Sequence, residues 1–182
     1  MNFISGKLEG VWIIEPKIFG DERGYFFESF RLDLFKEVTG FSGEFVQDNE
    51  SLSSKGVLRG LHFQKPPMAQ AKLVRVVRGA VLDVVVDLRK SSPTYGQSET
   101  IVLDAKDKRM FFVPEGFAHG FQTLEDDTIF QYKCSNYYSK EHEMGLLWND
   151  AELDIPWIED SYIISEKDQN QLSFDGFESP FD

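Results

Sequence analysis

The chain has 182 residues, enough for one domain with a sizeable core, and 41% of them are hydrophobic, which excludes a disordered chain. A net charge of −12 excludes nucleic-acid binding through a broad basic surface, and no apolar run is long enough to span a bilayer. Residues 1–10 lack the features of a secretory signal, and the single cysteine, Cys134, has no internal partner, so a reducing cytoplasm is the expected compartment.

Residues 11–19 are apolar and β-prone, with Pro16 marking an edge or a bend. Asp21-Glu22-Arg23-Gly24 reads as a turn into a second strand over 25–30. Over 31–39, Leu32, Phe35 and Val38 recur at helical spacing, and Gly40 stands where a helix stop belongs. Extended segments follow over 45–49 and 56–64, then a break at Lys65-Pro66-Pro67, then 72–78 and 80–88 joined at Gly79. In the last of these, Leu82, Val84 and Val86 share one face, and Val81, Asp83, Val85 and Asp87 the other. Further strands are predicted over 99–103, 109–113, 120–124 and 128–134.

Many short strands, one short helix and no βαβ rhythm predict an all-β antiparallel sandwich or barrel. After Trp148 the chain turns polar, with a short helix near 165–171, and is expected to wrap the barrel within a single domain over 1–182. Residues 141–182 hold 12 acidic residues against one basic, Lys167, and read as a solvated acidic surface.

The chemistry centres on 57–72, VLRGLHFQKPPMAQAK, which brings Arg59, His62 and Lys72 into one strand-and-turn unit. His119 lies in Pro114-Glu115-Gly116-Phe117-Ala118-His119, the P-x-G-x-x-H pattern of cupins, a double-stranded β-helix type of jelly roll. Metal-binding cupins add an H-x-H pair and a glutamate; here Gln64 stands two after His62, and His142 lies beyond the strands. The histidines are therefore read as free for acid–base work, a role that suits a side chain whose unperturbed pKa of about 6.5 lies close to working pH. Such a base is usually oriented by a carboxylate; Asp48, Asp83 and Asp168 all qualify, and spacing does not choose among them.

Lys72 shares a face with Val74 and Val76, which points it inward, where an ammonium can stabilise an oxyanion. Tyr132 shares a face with Phe130 and Cys134 and is a candidate phenolic proton donor. Arg23 and Arg59 suit a diphosphate, and Gln47 and Asn49 suit a base or sugar. Neither a GxGxxG nor a P-loop is present.

Taken in order, Asp21-Glu22-Arg23-Gly24, Phe45-Val46-Gln47-Asp48-Asn49, Leu58-Arg59-Gly60-Leu61-His62, Lys72-Leu73-Val74-Arg75-Val76, residues 114–121, Tyr132-Lys133 and Ser165-Glu166-Lys167-Asp168 closely resemble the dTDP-4-dehydrorhamnose 3,5-epimerase family. The resemblance covers about 10–168. It implies a cupin-like jelly roll, a homodimer, no metal and no organic cofactor, and dTDP-4-keto-6-deoxyglucose as substrate. It also implies His62 as general base with Asp168 behind it, Tyr132 as acid on the opposite sugar face, and Lys72 at the enolate oxygen. His119 would line the sugar site, with Phe19 an aromatic neighbour of the nucleotide base. Arg23, Glu28, Gln47, Asn49 and Arg59 would hold the thymidine diphosphate, with Glu143 and Lys167 as further pocket contacts. Departures at Glu50 and Met144 are expected to retune nucleotide or sugar preference, and Leu147 puts an apolar side chain where a polar one is frequent. Two other readings compete: an epimerase acting at one carbon only, and a non-catalytic cupin that binds a nucleotide sugar.

Overall fold

The computed structural model describes residues 1–158 and 162–182. In chain order its elements are β1 (Asn2–Ser5), β2 (Trp12–Glu15), β3 (Ile18–Asp21), β4 (Gly24–Phe27), α1 (Leu32–Thr39), β5 (Gln47–Ser53), β6 (Val57–Gln64), β7 (Lys72–Arg78), β8 (Ala80–Asp87) and β9 (Ser98–Asp104). They continue with β10 (Met110–Val113), β11 (Phe117–Thr123), β12 (Thr128–Cys134), β13 (Glu143–Gly145), β14 (Ile163–Ile164) and α2 (Glu166–Gln169). One six-stranded sheet runs β1-β2-β10-β7-β12-β5. The other runs β13-β6-β11-β8-β9, with β14 added in parallel to β6, and β3 and β4 form a separate hairpin. This is the expected jelly roll: two antiparallel sheets facing each other.

Period-2 alternation sorts the side chains into three layers. Between the sheets lie Val74 and Val76 of β7, Val81 and Val85 of β8, Phe117 and Phe121 of β11 and Phe130 of β12. Behind the second sheet, Leu61, Phe63, Leu82, Val84 and Val86 are covered by Phe174, Phe177 and Phe181 of the C-terminal segment. Behind the first sheet, Leu73, Met110 and Phe112 are covered by α1 through Phe35, with Phe30, Phe41 and Phe45 around it. Each fully buried Val, Leu or Phe contributes roughly 1.5–3 kcal/mol relative to exposure.

Several boundaries differ from the sequence reading. The apolar run 11–19 is split at Pro16 into β2 and β3. Phe45 is drawn into the aromatic group, 5.0 Å from Phe41 and 5.4 Å from Phe30 between ring centroids, so β5 starts two residues later. β11 begins at Phe117 and not at Gly120, which puts His119 inside a strand.

The departure that matters most is in β6. Its pairing with β11 runs His119↔His62 and then Phe121↔Arg59, so three residues of β6 oppose two of β11. Simple alternation would put Arg59 with the outward Leu61 and Phe63; the bulge turns it to the side of His62. Gly60 makes this possible, with φ +124° and a Cβ position only 2.5 Å from Gly120 Cα.

Candidate active site

Inward-facing residues at one end of the barrel line a cavity of about 560 Å³ that includes Arg59, His62, Lys72, His119, Tyr132, Lys167 and Asp168. A second cavity of about 140 Å³ shares His62, Lys72 and Tyr132 with it and adds Gln47, Asn49, Tyr138 and Glu143. His62 and His119 come from the second sheet, and Lys72 and Tyr132 from the first. The titratable groups therefore face one another across the space.

His62 lies 2.6 Å from Asp168 through Nε2. A carboxylate only accepts, so Nε2–H donates to it and Nδ1 is the nitrogen able to take a proton. Asp168 reaches this place because α2 is anchored at its start: Ser165 Oγ accepts the Asp168 backbone N–H at 3.1 Å. Burial pushes the Asp168 carboxyl up, but the His62 hydrogen bond and charge outweigh it, and the net effect holds it below the usual carboxylate range. His119 Nε2 donates to both oxygens of Asp83, at 2.9 and 3.1 Å.

Burial pushes the Lys72 ammonium down, and the charges of Cys134, Asp83 and Glu143 restore it only in part. Burial pushes the Tyr132 phenol up, so it stays a proton donor well above neutral pH. The Arg59 guanidinium donates to Ser53 Oγ from Nε and Nη2, each at 3.3 Å. Gln47 donates to Asn49 Oδ1 at 3.1 Å and accepts the Tyr138 backbone N–H at 3.0 Å. Glu143 accepts from Lys167 at 2.6 Å and from the Tyr138 hydroxyl at 2.9 Å, joining β13 to α2.

Gln64 is committed to architecture. Its amide donates to the carbonyls of Met68 and Tyr137 and accepts from the Ser139 backbone N–H, fixing the loop after β12. His142 pairs with the Ser139 hydroxyl at 2.7 Å, outside both cavities. Among the described residues no group of three or more His, Cys, Asp or Glu could hold a metal ion.

Three of the sequence-derived residues are not brought to these cavities by their own chain. Phe19 and Arg23 lie on the exposed β3–β4 hairpin and line a separate hollow with Tyr25 and Phe26. Glu28 follows that hairpin and is exposed. Glu50 and Met144 also need correction as modulators of preference, because both side chains point away. Glu50 accepts from Gln131 on the outer face of the first sheet, and Met144 packs into the layer behind the second. The structure adds Ser51, Phe121, Phe130 and Tyr138 to the lining. Period 2 could have found the first two, since Ser51 continues Gln47 and Asn49 and Phe121 follows His119.

A jelly roll with a histidine–carboxylate pair and a tyrosine on facing walls, and a lysine and an arginine beside them, is built for acid–base chemistry on an anionic ligand. The model of the dTDP-4-dehydrorhamnose 3,5-epimerase family matches residues 5–176, and the chain belongs to that family. It is 53% identical over 174 residues to the dTDP-4-dehydrorhamnose 3,5-epimerase of Shigella flexneri, covering 96% of each chain. Among solved structures, the dTDP-4-dehydrorhamnose 3,5-epimerase from Elizabethkingia anophelis NUHP1 superposes with a TM-score of 0.93 at 50% identity, covering 97% of both chains. The dTDP-6-deoxy-D-glucose-3,5-epimerase from Legionella pneumophila Philadelphia 1, solved in complex with dTDP-4-keto-L-rhamnose, gives a TM-score of 0.92 at 45% identity, covering 96% of this chain and 93% of that one.

Proposed function

We propose that this chain epimerises dTDP-4-keto-6-deoxyglucose at carbons 3 and 5, giving dTDP-4-keto-L-rhamnose, through an enolate formed and reprotonated twice. The observation that carries the reading is the His62–Asp168 pair facing Tyr132 across a cavity that also holds Lys72. His62 Nδ1 takes the proton from the carbon beside the ketone. The C–H electron pair becomes the new carbon–carbon π bond, and the carbonyl π pair moves to the oxygen at carbon 4. The Lys72 ammonium stabilises that oxyanion, and Tyr132 returns a proton from the other face, which inverts the centre. The ketone of the substrate acidifies both positions, so the chemistry needs no redox step.

Arg59, Gln47 and Asn49 hold the thymidine diphosphate, with Glu143 and Lys167 at the mouth and His119 beside the sugar. Phe19, Arg23 and Glu28 serve the same ligand from a second copy of the chain in a homodimer. This is supported by their position outside their own chain's cavities and by the exposure of Phe19, Tyr25 and Phe26 on the hairpin. We read the chain as one domain working in the cytoplasm; among the described residues no helix is long and apolar enough to cross a membrane.

Proton NMR in deuterium oxide tests the reaction. With dTDP-4-keto-6-deoxyglucose, deuterium is expected at both carbon 3 and carbon 5, and His62→Ala should exchange at neither while still binding dTDP. Exchange at one carbon would reduce the reading to a single-site epimerase, and none with the wild type would reject it.

A further inference from the structure

Asp83 is a fully buried carboxylate that the chemistry above leaves without a task. It lies on β8 between Val81 and Val85, two residues of the core between the sheets, and its side chain faces inward with theirs. An ionisable group in such a place is costly, and a third valine would fill it without the cost. Positions that work against stability in this way mark function more often than architecture.

The groups that face Asp83 come from two strands. His119 of β11 donates to both its oxygens. Burial pushes the Asp83 carboxyl up, and the charge and hydrogen bond of His119 and the charge of Lys72 on β7 pull it back only in part. Lys72 in turn is faced by Asp83, by Cys134 of β12 and by Glu143 of β13. Burial pushes the Cys134 thiol up, which disfavours its thiolate, and Glu143 is already engaged by Lys167 and Tyr138. The cavity lining also holds His62, taken up by Asp168, together with Tyr132, Arg59 and Lys167. Asp83 is thus the carboxylate in position to balance the lysine.

The geometry points to Asp83 as a positioning residue of the reaction: it fixes His119 with Nε2–H turned toward the carboxylate, and it supplies the negative charge that offsets the Lys72 ammonium where the enolate oxygen forms. Asp83 itself does not touch the reacting atoms. This rests on the epimerase reading and deepens it, because the oxyanion site becomes a three-residue unit, Lys72–Asp83–His119, drawn from both sheets.

The test is Asp83→Asn, which keeps the volume and removes the charge. Turnover of dTDP-4-keto-6-deoxyglucose is expected to fall by about 10–100-fold, with dTDP affinity unchanged within about twofold. The alkaline limb of the turnover–pH profile should move to lower pH, because Lys72 without its counter-charge gives up its proton sooner. A folded variant with wild-type rate and profile overturns the proposal, and so does a slower variant whose alkaline limb has not moved, since a merely structural role would give that result. Should the variant fail to fold, nitrogen-15 NMR of histidine-labelled wild type decides. His119 is expected to carry its proton on Nε2 at neutral pH, and the Nδ1–H tautomer overturns the assignment. Wild type run alongside separates the two readings: inert wild type rejects both, whereas active wild type with an unaltered variant rejects only this one.

Discussion

Asp168 decides what His62 can do. The carboxylate accepts the Nε2 proton at 2.6 Å and so leaves Nδ1 to act as base. Asp168→Asn lets the ring adopt either tautomer, and turnover should fall by roughly 10²–10⁴-fold with little change in dTDP affinity, measured as kcat against KM. The same pair links stability to pH. The Asp168 carboxyl is held below its ordinary range in the fold, so its contribution is fully present above the unfolded carboxylate pKa and is lost as pH falls through the folded value. The Tm gap between wild type and Asp168→Asn should therefore be widest near neutral pH and close below about pH 4. The residue types of this pair were legible in the sequence, but spacing did not pair them; the family resemblance did. Asp48, one of the three candidate carboxylates, points outward to Lys133 at 3.0 Å, and Asp83 belongs to His119. Spacing along the chain cannot reveal a partner delivered by a segment that docks from elsewhere.

At the scale of the element, alternation in β7, β8 and β12 sorted inward from outward side chains correctly, and α1 fell close to its predicted span because Leu32, Phe35 and Val38 repeat at helical spacing and Gly40 ends it at φ +73°. What alternation could not supply was the bulge in β6, since nothing in Leu58-Arg59-Gly60-Leu61-His62 states that the pairing register shifts. Only the approach of Gly60 to Gly120 reveals it. Gly60→Ala places a methyl 2.5 Å from a backbone carbon at a φ that disfavours any side chain. It should cost roughly 2–4 kcal/mol, read as a lower urea midpoint. The dTDP affinity of the surviving fold should drop with it, because the displaced segment carries Arg59.

Across the whole molecule, the acidic C-terminal part is more than a solvated surface. Asp150 is buried and accepts from Ser173 Oγ and the Phe174 backbone N–H, and Asp168 is buried against His62. The assembly has its own check. Light scattering should give twice the 21.0 kDa of one chain, and Arg23→Ala should weaken dTDP binding although Arg23 lies outside its own chain's cavities. A fully active monomer would rule the dimer out. One further consequence follows from where Asp168 sits. In the chain, β14, whose Ile163 and Ile164 line the cavity, and the helix carrying Asp168 come after the other strands that wall it. Until that helix docks, His62 lacks the carboxylate that fixes its tautomer, so proton transfer depends on a contact between residues 106 positions apart in the chain.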